Sequence, residues 1–188
     1  MTAILSYTGD NDTFILNNIW ANLDCKVITI GKDNVTRKDI DKAISEETDT
    51  LILAGHGSPD GLYGYGYGYG LGCKDFDNNY AVDEDNKDLI KAKNLICIWC
   101  YAADFGKLQN LKGFFSGMFI SNSIEALLFE IVAQDKKIWQ LERNFCDNLN
   151  ELIRTNVPMD QWIGRLKEKS DHNDPVDIFN MDNLRYFD

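Results

Sequence analysis

Two short runs constrain this chain most. Leu51-Ile52-Leu53-Ala54 and, roughly forty residues later, Leu95-Ile96-Cys97-Ile98-Trp99 contain no charged or strongly polar side chain. A strand that is apolar at every position buries both faces, which predicts a parallel sheet covered by helices on each side. Both runs stop abruptly, the first at Gly55-His56-Gly57 and the second at Cys100. Ligands of open α/β sheets bind beyond the carboxyl ends of the strands. If the two runs are neighbouring strands, one rim receives an imidazole and a thiol together.

The flanking sequence supports that sheet. Residues 3–8 and 26–30 read as strands, with Gly9-Asp10-Asn11-Asp12 as a turn whose acids cap the following helix. Phe14, Ile15, Asn18 and Ile19 lie at helical spacing, as do Ile40, Ala43 and Ile44 within 36–46. The resulting β-α-β-α-β order argues for parallel strands joined by crossovers. Further on, helices are expected over 88–93 and 102–111, and a strand over 114–120. Residues 124–153 read as one helix with the stripe Ile138, Leu141, Phe145, Leu149 and Leu152. Another helix follows Pro158, and residues 174–188 read as irregular chain or an edge strand. The expectation is one domain over 1–188: an α/β protein, a three-layer α/β/α sandwich around a mostly parallel central sheet. Residues 1–125 supply the sheet core and site loops, and 126–188 the C-terminal helices and tail.

One segment breaks the pattern. Residues 61–72, GLYGYGYGYGLG, place Tyr63, Tyr65, Tyr67 and Tyr69 on one face and glycines on the other if the chain is extended. Such a ribbon beside His56 suits a lid or a surface that lines the cleft, and a plain surface loop is the alternative.

Composition excludes several functions. A net charge of −11 argues against nucleic acid and anionic membrane surfaces as partners. No apolar run approaches the roughly 20 residues of a membrane span, and no secretory signal is legible after Met1. The five cysteines (Cys25, Cys73, Cys97, Cys100 and Cys146) are odd in number and too sparse for a disulfide framework. Free thiols in the cytoplasm are therefore expected. Spacing gives no sign of a metal site, and no cofactor is expected.

A thiol becomes a nucleophile when deprotonated, and a nearby imidazole promotes that. Acyl transfer also needs donors facing the developing oxyanion, for which the amides of Gly57 and Cys100 are placed. Cys97, on the same strand, reads as a small core residue, and His172 as a surface residue.

A strand ending in His-Gly, LILAGHGS, followed by a strand ending in Cys, ICIWCYAAD, resembles the caspase-like cysteine peptidases. That group includes caspases, clostripain, gingipains, legumain, separase and CHAT domains. The resemblance covers roughly residues 1–125. It implies a caspase-like fold and a His56–Cys100 dyad, with Gly57 in the oxyanion hole and a peptide or protein as substrate. Two positions depart from the group: Trp99 stands where a small residue is common, and Ile98 where members cleaving after basic residues often carry an acid. Tyr63, Tyr65, Trp99, Asp104 and Glu125 are the candidate substrate contacts. The alternatives are a non-catalytic caspase-like binding domain and an α/β-hydrolase-type esterase. The esterase would need a nucleophile elbow, which Ile98-Trp99-Cys100-Tyr101-Ala102 lacks, and His172 as its base.

Overall fold

Side chains along a strand alternate between faces, and here the two sets of faces are covered by different helices. The computed structural model describes residues 1–7, 9–31, 35–64 and 80–188. In chain order, β1 (Thr2–Ser6), α1 (Asn11–Ile15), β2 (Lys26–Ile30), α2 (Arg37–Glu46) and β3 (Thr50–Gly55) form the expected alternation. Helix α1 tightens into a 3-10 turn at Leu16–Trp20. Three short strands follow, β4 (Gly57–Ser58), β5 (Gly61–Tyr63) and β6 (Tyr80–Val82), making a small antiparallel sheet. Then come β7 (Asn94–Ile98), α3 (Ala102–Leu108), β8 (Gly113–Ser116), α4 (Ser123–Leu128) and α5 (Asp135–Arg154). The chain finishes with α6 (Trp162–Lys169), α7 (Pro175–Asp182) and β9 (Leu184–Phe187).

The main sheet has the order β2-β1-β3-β7-β8-β9 and is parallel except for β9, which runs antiparallel to β8. On one face Ala3, Leu5, Ile52, Ala54, Ile96 and Ile98 pack against Leu16, Ile19, Phe145, Leu149 and Trp162. On the other, Ile4, Leu51, Leu53, Leu95, Cys97 and Trp99 meet Ile40, Ile44, Ala102 and Phe105. Helices thus cover both faces of the apolar runs, and the α/β layering expected from them is present. No helix is long and apolar enough to cross a membrane among the described residues.

Several boundaries differ from the sequence reading, each for a local reason. Residues 88–93 form only a 3-10 turn, Lys87–Leu89. Strand β8 ends at Ser116 rather than Ile120, because Gly117 leaves the ladder to bond Asn183 O through its N–H (2.7 Å) and to accept from Tyr101 N (3.0 Å). The long helix expected over 124–153 is two helices. Ile131 N–H turns back to Ala126 O (3.0 Å), Glu130 takes a left-handed conformation, and Asp135 caps Ser123 N (2.6 Å). The predicted stripe is nevertheless buried along α5. In the tail, Asp174 accepts from Val176 and Asp177 N–H with Pro175 in the first turn, a helix start missed in the sequence, before the edge strand β9. Of the Tyr/Gly segment, Gly61–Gly64 are described. The alternating ribbon, Tyr65 and Cys73 lie outside the described residues.

The small sheet is tied to α2 by a polar cluster. The Arg37 guanidinium grips both carboxylate oxygens of Asp83 (2.6 and 3.2 Å) and donates to Tyr80 O (2.7 Å), while its Nε reaches Asp41 (3.2 Å). Asn86 extends the cluster to Asp41 (2.7 Å) and Ala81 O (3.0 Å). Asp83 is 4% exposed, so removing its cation strands a buried charge, and such losses are large. Replacing Arg37 with Met should lower unfolding stability by about 2–3 kcal/mol in urea titrations.

Candidate active site

Strand register decides the geometry of the rim. Ala54 of β3 pairs with Ile98 of β7 in parallel. His56 and Cys100 each stand two residues beyond those partners, so neighbouring strands release them at the same level. Both line one cleft, together with Asp12, Leu16, Phe119, Ser121 and Glu142. The cleft has about 30 Å³ of cavity volume, room for about one water-sized group. It opens on the side of the sheet covered by α1 and α5.

Two glycines and a tryptophan shape the turn that carries His56. Gly55 has φ +139°, and a Cβ there would stand 2.6 Å from Ser6 O, so the chain leaves β3 in a conformation open to glycine. Gly57 lies against the Trp99 indole, where a Cβ would meet Cδ1 at 2.1 Å. The indole N–H of Trp99 donates to Ser58 O (3.1 Å), and its backbone N–H to Ser116 Oγ (3.0 Å). Trp99 is therefore a brace beneath the His56 turn. Trp99 is 2% exposed and also lines the cleft beside His56 and Cys100. On the next strand Tyr63 N–H bonds His56 O (2.9 Å). That makes His56 and Tyr63 the bonded pair of the ladder and turns the Gly57 amide away from β5.

The imidazole has a partner that the sequence reading did not assign. His56 Nε2 lies 3.0 Å from Asp10 Oδ2. Asp10 is also the N-cap of α1, its other oxygen accepting from Thr13 N (2.8 Å) and Thr13 Oγ1 (2.7 Å). Burial opposes the imidazolium, but the Asp10 hydrogen bond, with the charges of Asp10, Asp12 and Glu125, outweighs it and raises the His56 pKa. No hydrogen bond joins His56 to Cys100 among the described residues. Cys100 instead points its thiol at Phe119 O (3.6 Å). Although the residue is partly exposed, burial of the thiol, reinforced by the charges of Glu125, Glu142 and Asp12, pushes its pKa up to about 12.

Other candidates fall differently. Glu125 is half-buried and accepts from Ser121 N (2.8 Å) and Oγ (3.0 Å), so it holds the wall of the cleft. Tyr63 stacks on Tyr80 with ring centroids 5.3 Å apart. Asp104 is exposed on α3, a helix packed on the opposite face of the sheet, and does not line the cleft. His172 is exposed between α6 and α7 and is likewise absent from the lining.

Two lining carboxyls were also missed. Asp12 accepts from Ser121 Oγ and Asn122 Nδ2, both at 3.3 Å, and burial raises its pKa. Glu142 is 3% exposed with one carboxyl oxygen that has no hydrogen-bond partner among the described residues, and burial, with Asp12, Glu125 and Asp10 nearby, holds it protonated well above the usual range. A signal for Glu142 existed: it falls four residues after Ile138 and three before Phe145, within the apolar stripe of α5. No three His, Cys, Asp or Glu residues converge closely enough to hold a metal among the described residues.

The Asp10–His56 pair has a pH signature. The folded-state pKa of His56 lies above the unfolded value of about 6.5, so its stabilisation is complete below that value and fades as pH rises through the folded one. Asp10→Asn keeps the cap and removes the charge. In NMR titrations of the imidazole it should lower the His56 pKa, and the stability deficit of the variant should be larger at pH 5.5 than at pH 8.5. Comparison of the chain with models of known families, with characterised proteins and with solved structures found no match in any of the three.

Proposed function

We propose that this chain is a cysteine peptidase of caspase-like type, acting through Asp10, His56 and Cys100. The observation that carries the proposal is the shared level of His56 and Cys100 on paired strands, both opening on one cleft. In this reading Asp10 orients the imidazole through Nε2, and Nδ1 is the nitrogen left to take the thiol proton. Sγ of Cys100 attacks the carbonyl carbon of the peptide, and the amides of Gly57 and Cys100 face the oxyanion. The imidazolium then protonates the departing amine as the C–N bond breaks. Water, losing its proton to His56, cleaves the thioester and restores the thiol.

One observation favours a second reading. A thiol held near 12 is inert at neutral pH, as suits a caspase-like domain that binds without chemistry. Peptide-library digestion followed by mass spectrometry separates the two. Under the peptidase reading, Cys100→Ala and His56→Ala each lower kcat/KM by at least about 10³-fold, and wild-type rates climb as pH rises through the raised His56 pKa. A library left intact by the wild-type protein at every pH, with peptides retained equally by Cys100→Ala, establishes the binding reading.

A further inference from the structure

The floor of the cleft gathers more carboxyl groups than a dyad needs, and one of them is unfinished. Glu142 is almost fully buried, lines the cleft and leaves one carboxyl oxygen without a hydrogen bond among the described residues. A buried carboxyl in that condition is unfavourable until something arrives to bond it. Asp12, on the facing helix α1, is held among the described residues by two bonds at 3.3 Å. Leu16, Ile98 and Phe119 give the wall an apolar part beside Thr13 and Ser121.

We propose that this floor is a seat for a primary ammonium group on an alkyl chain, of the kind a lysine side chain presents, bonded by Glu142 and Asp12. The inference rests on the cleft being the substrate site. Three features select that chemistry. An ammonium offers three N–H donors to the open carboxyl oxygen of Glu142 and to the loosely held Asp12. The cavity, at about 30 Å³, admits one water-sized head, which suits –NH₃⁺ better than a planar guanidinium with its five donors. Finally, the apolar part of the wall matches methylene groups behind a charged tip. The groups facing the seat are Asp12 from α1 and Asp10 at its N-cap, His56 from the turn after β3, Cys100 from the turn after β7, Glu125 from α4 and Glu142 itself.

The seat also addresses the inert thiol. Glu125, Glu142 and Asp12 all raise the Cys100 pKa, so a cation placed among them counteracts part of what holds the thiol protonated. The ligand that fits the floor is then also one that favours the thiolate, although burial, the larger cause of the raised pKa, stays in place.

The test uses the full chain carrying Cys100→Ala, in which binding is separated from turnover, and follows amide shifts by NMR. The probes are N-acetyl-lysine methylamide, its uncharged counterpart N-acetyl-norleucine methylamide, and n-butylamine. The lysine probe should bind saturably with at least tenfold higher affinity than the norleucine probe. Adding Glu142→Gln should weaken it about tenfold or more, and Asp12→Asn provides the same test if the first variant misfolds. Binding of n-butylamine but not of the lysine probe keeps the ammonium seat and assigns it to a free amine. Equal binding of lysine and norleucine, full binding by both variants, or no shift with any probe overturns the proposal and leaves the floor to a water molecule. The two readings fail separately. Lysine binding by a protein that cleaves no peptide removes the peptidase and keeps the seat, whereas cleavage indifferent to lysine, without probe binding, does the reverse. With Cys100 restored, n-butylamine should accelerate its alkylation by iodoacetamide at pH 7.5 about fivefold or more in the wild type and hardly at all in Glu142→Gln.

Discussion

The parallel pairing of β3 with β7 fixes where chemistry is possible in this molecule. Hydrogen bonds along that pair set Ala54 against Ile98, and a slip of one residue would send every side chain to the opposite face. Burial on both faces forbids the slip: residues of each strand belong to both hydrophobic clusters. The level at which His56 and Cys100 emerge is thus a consequence of core packing. The Trp99 indole then holds the turn beyond β3 through Ser58 O and through its contact with Gly57. A small residue at position 99 would leave that glycine without its wall.

Much of this was legible in the chain because apolar runs, caps and turn residues act locally. The buried strands, the capping of α1 by an acid of the 9–12 turn and the burial of the α5 stripe all follow from residues near one another in sequence. The break at Glu130 and the end of β8 at Ser116 did not, since both depend on bonds to distant or reversed backbone. At the site, His56 and Cys100 stood out because strand ends mark them. Asp10 was read as a helix cap, which it is, but its second oxygen meets a histidine 46 positions away. No spacing rule encodes such a contact.

The electrostatic character of the cleft also arises from tertiary structure. Asp12 and Glu125 come from the first turns of α1 and α4, and Glu142 from the apolar stripe of α5. Burial holds the thiol they surround protonated and their charges reinforce it, while Asp10, with Asp12 and Glu125, supports a charged imidazole. A thiol and an imidazole side by side are therefore not an activated pair in this resting arrangement. Their environment favours the charged form of one and the neutral form of the other.

The two-handed role of Asp10 links events that are usually independent. Helix α1 has only five residues, too few to be stable alone, and one carboxylate holds both its first turn and the imidazole. Proton loss from His56 removes the charge opposite that carboxylate and weakens the restraint on the helix. Amide hydrogen exchange at Thr13, whose N–H is bonded to Asp10, would thus report the ionisation of a ring on another strand. The wall of the cleft that carries Asp12 loosens or tightens with the same proton.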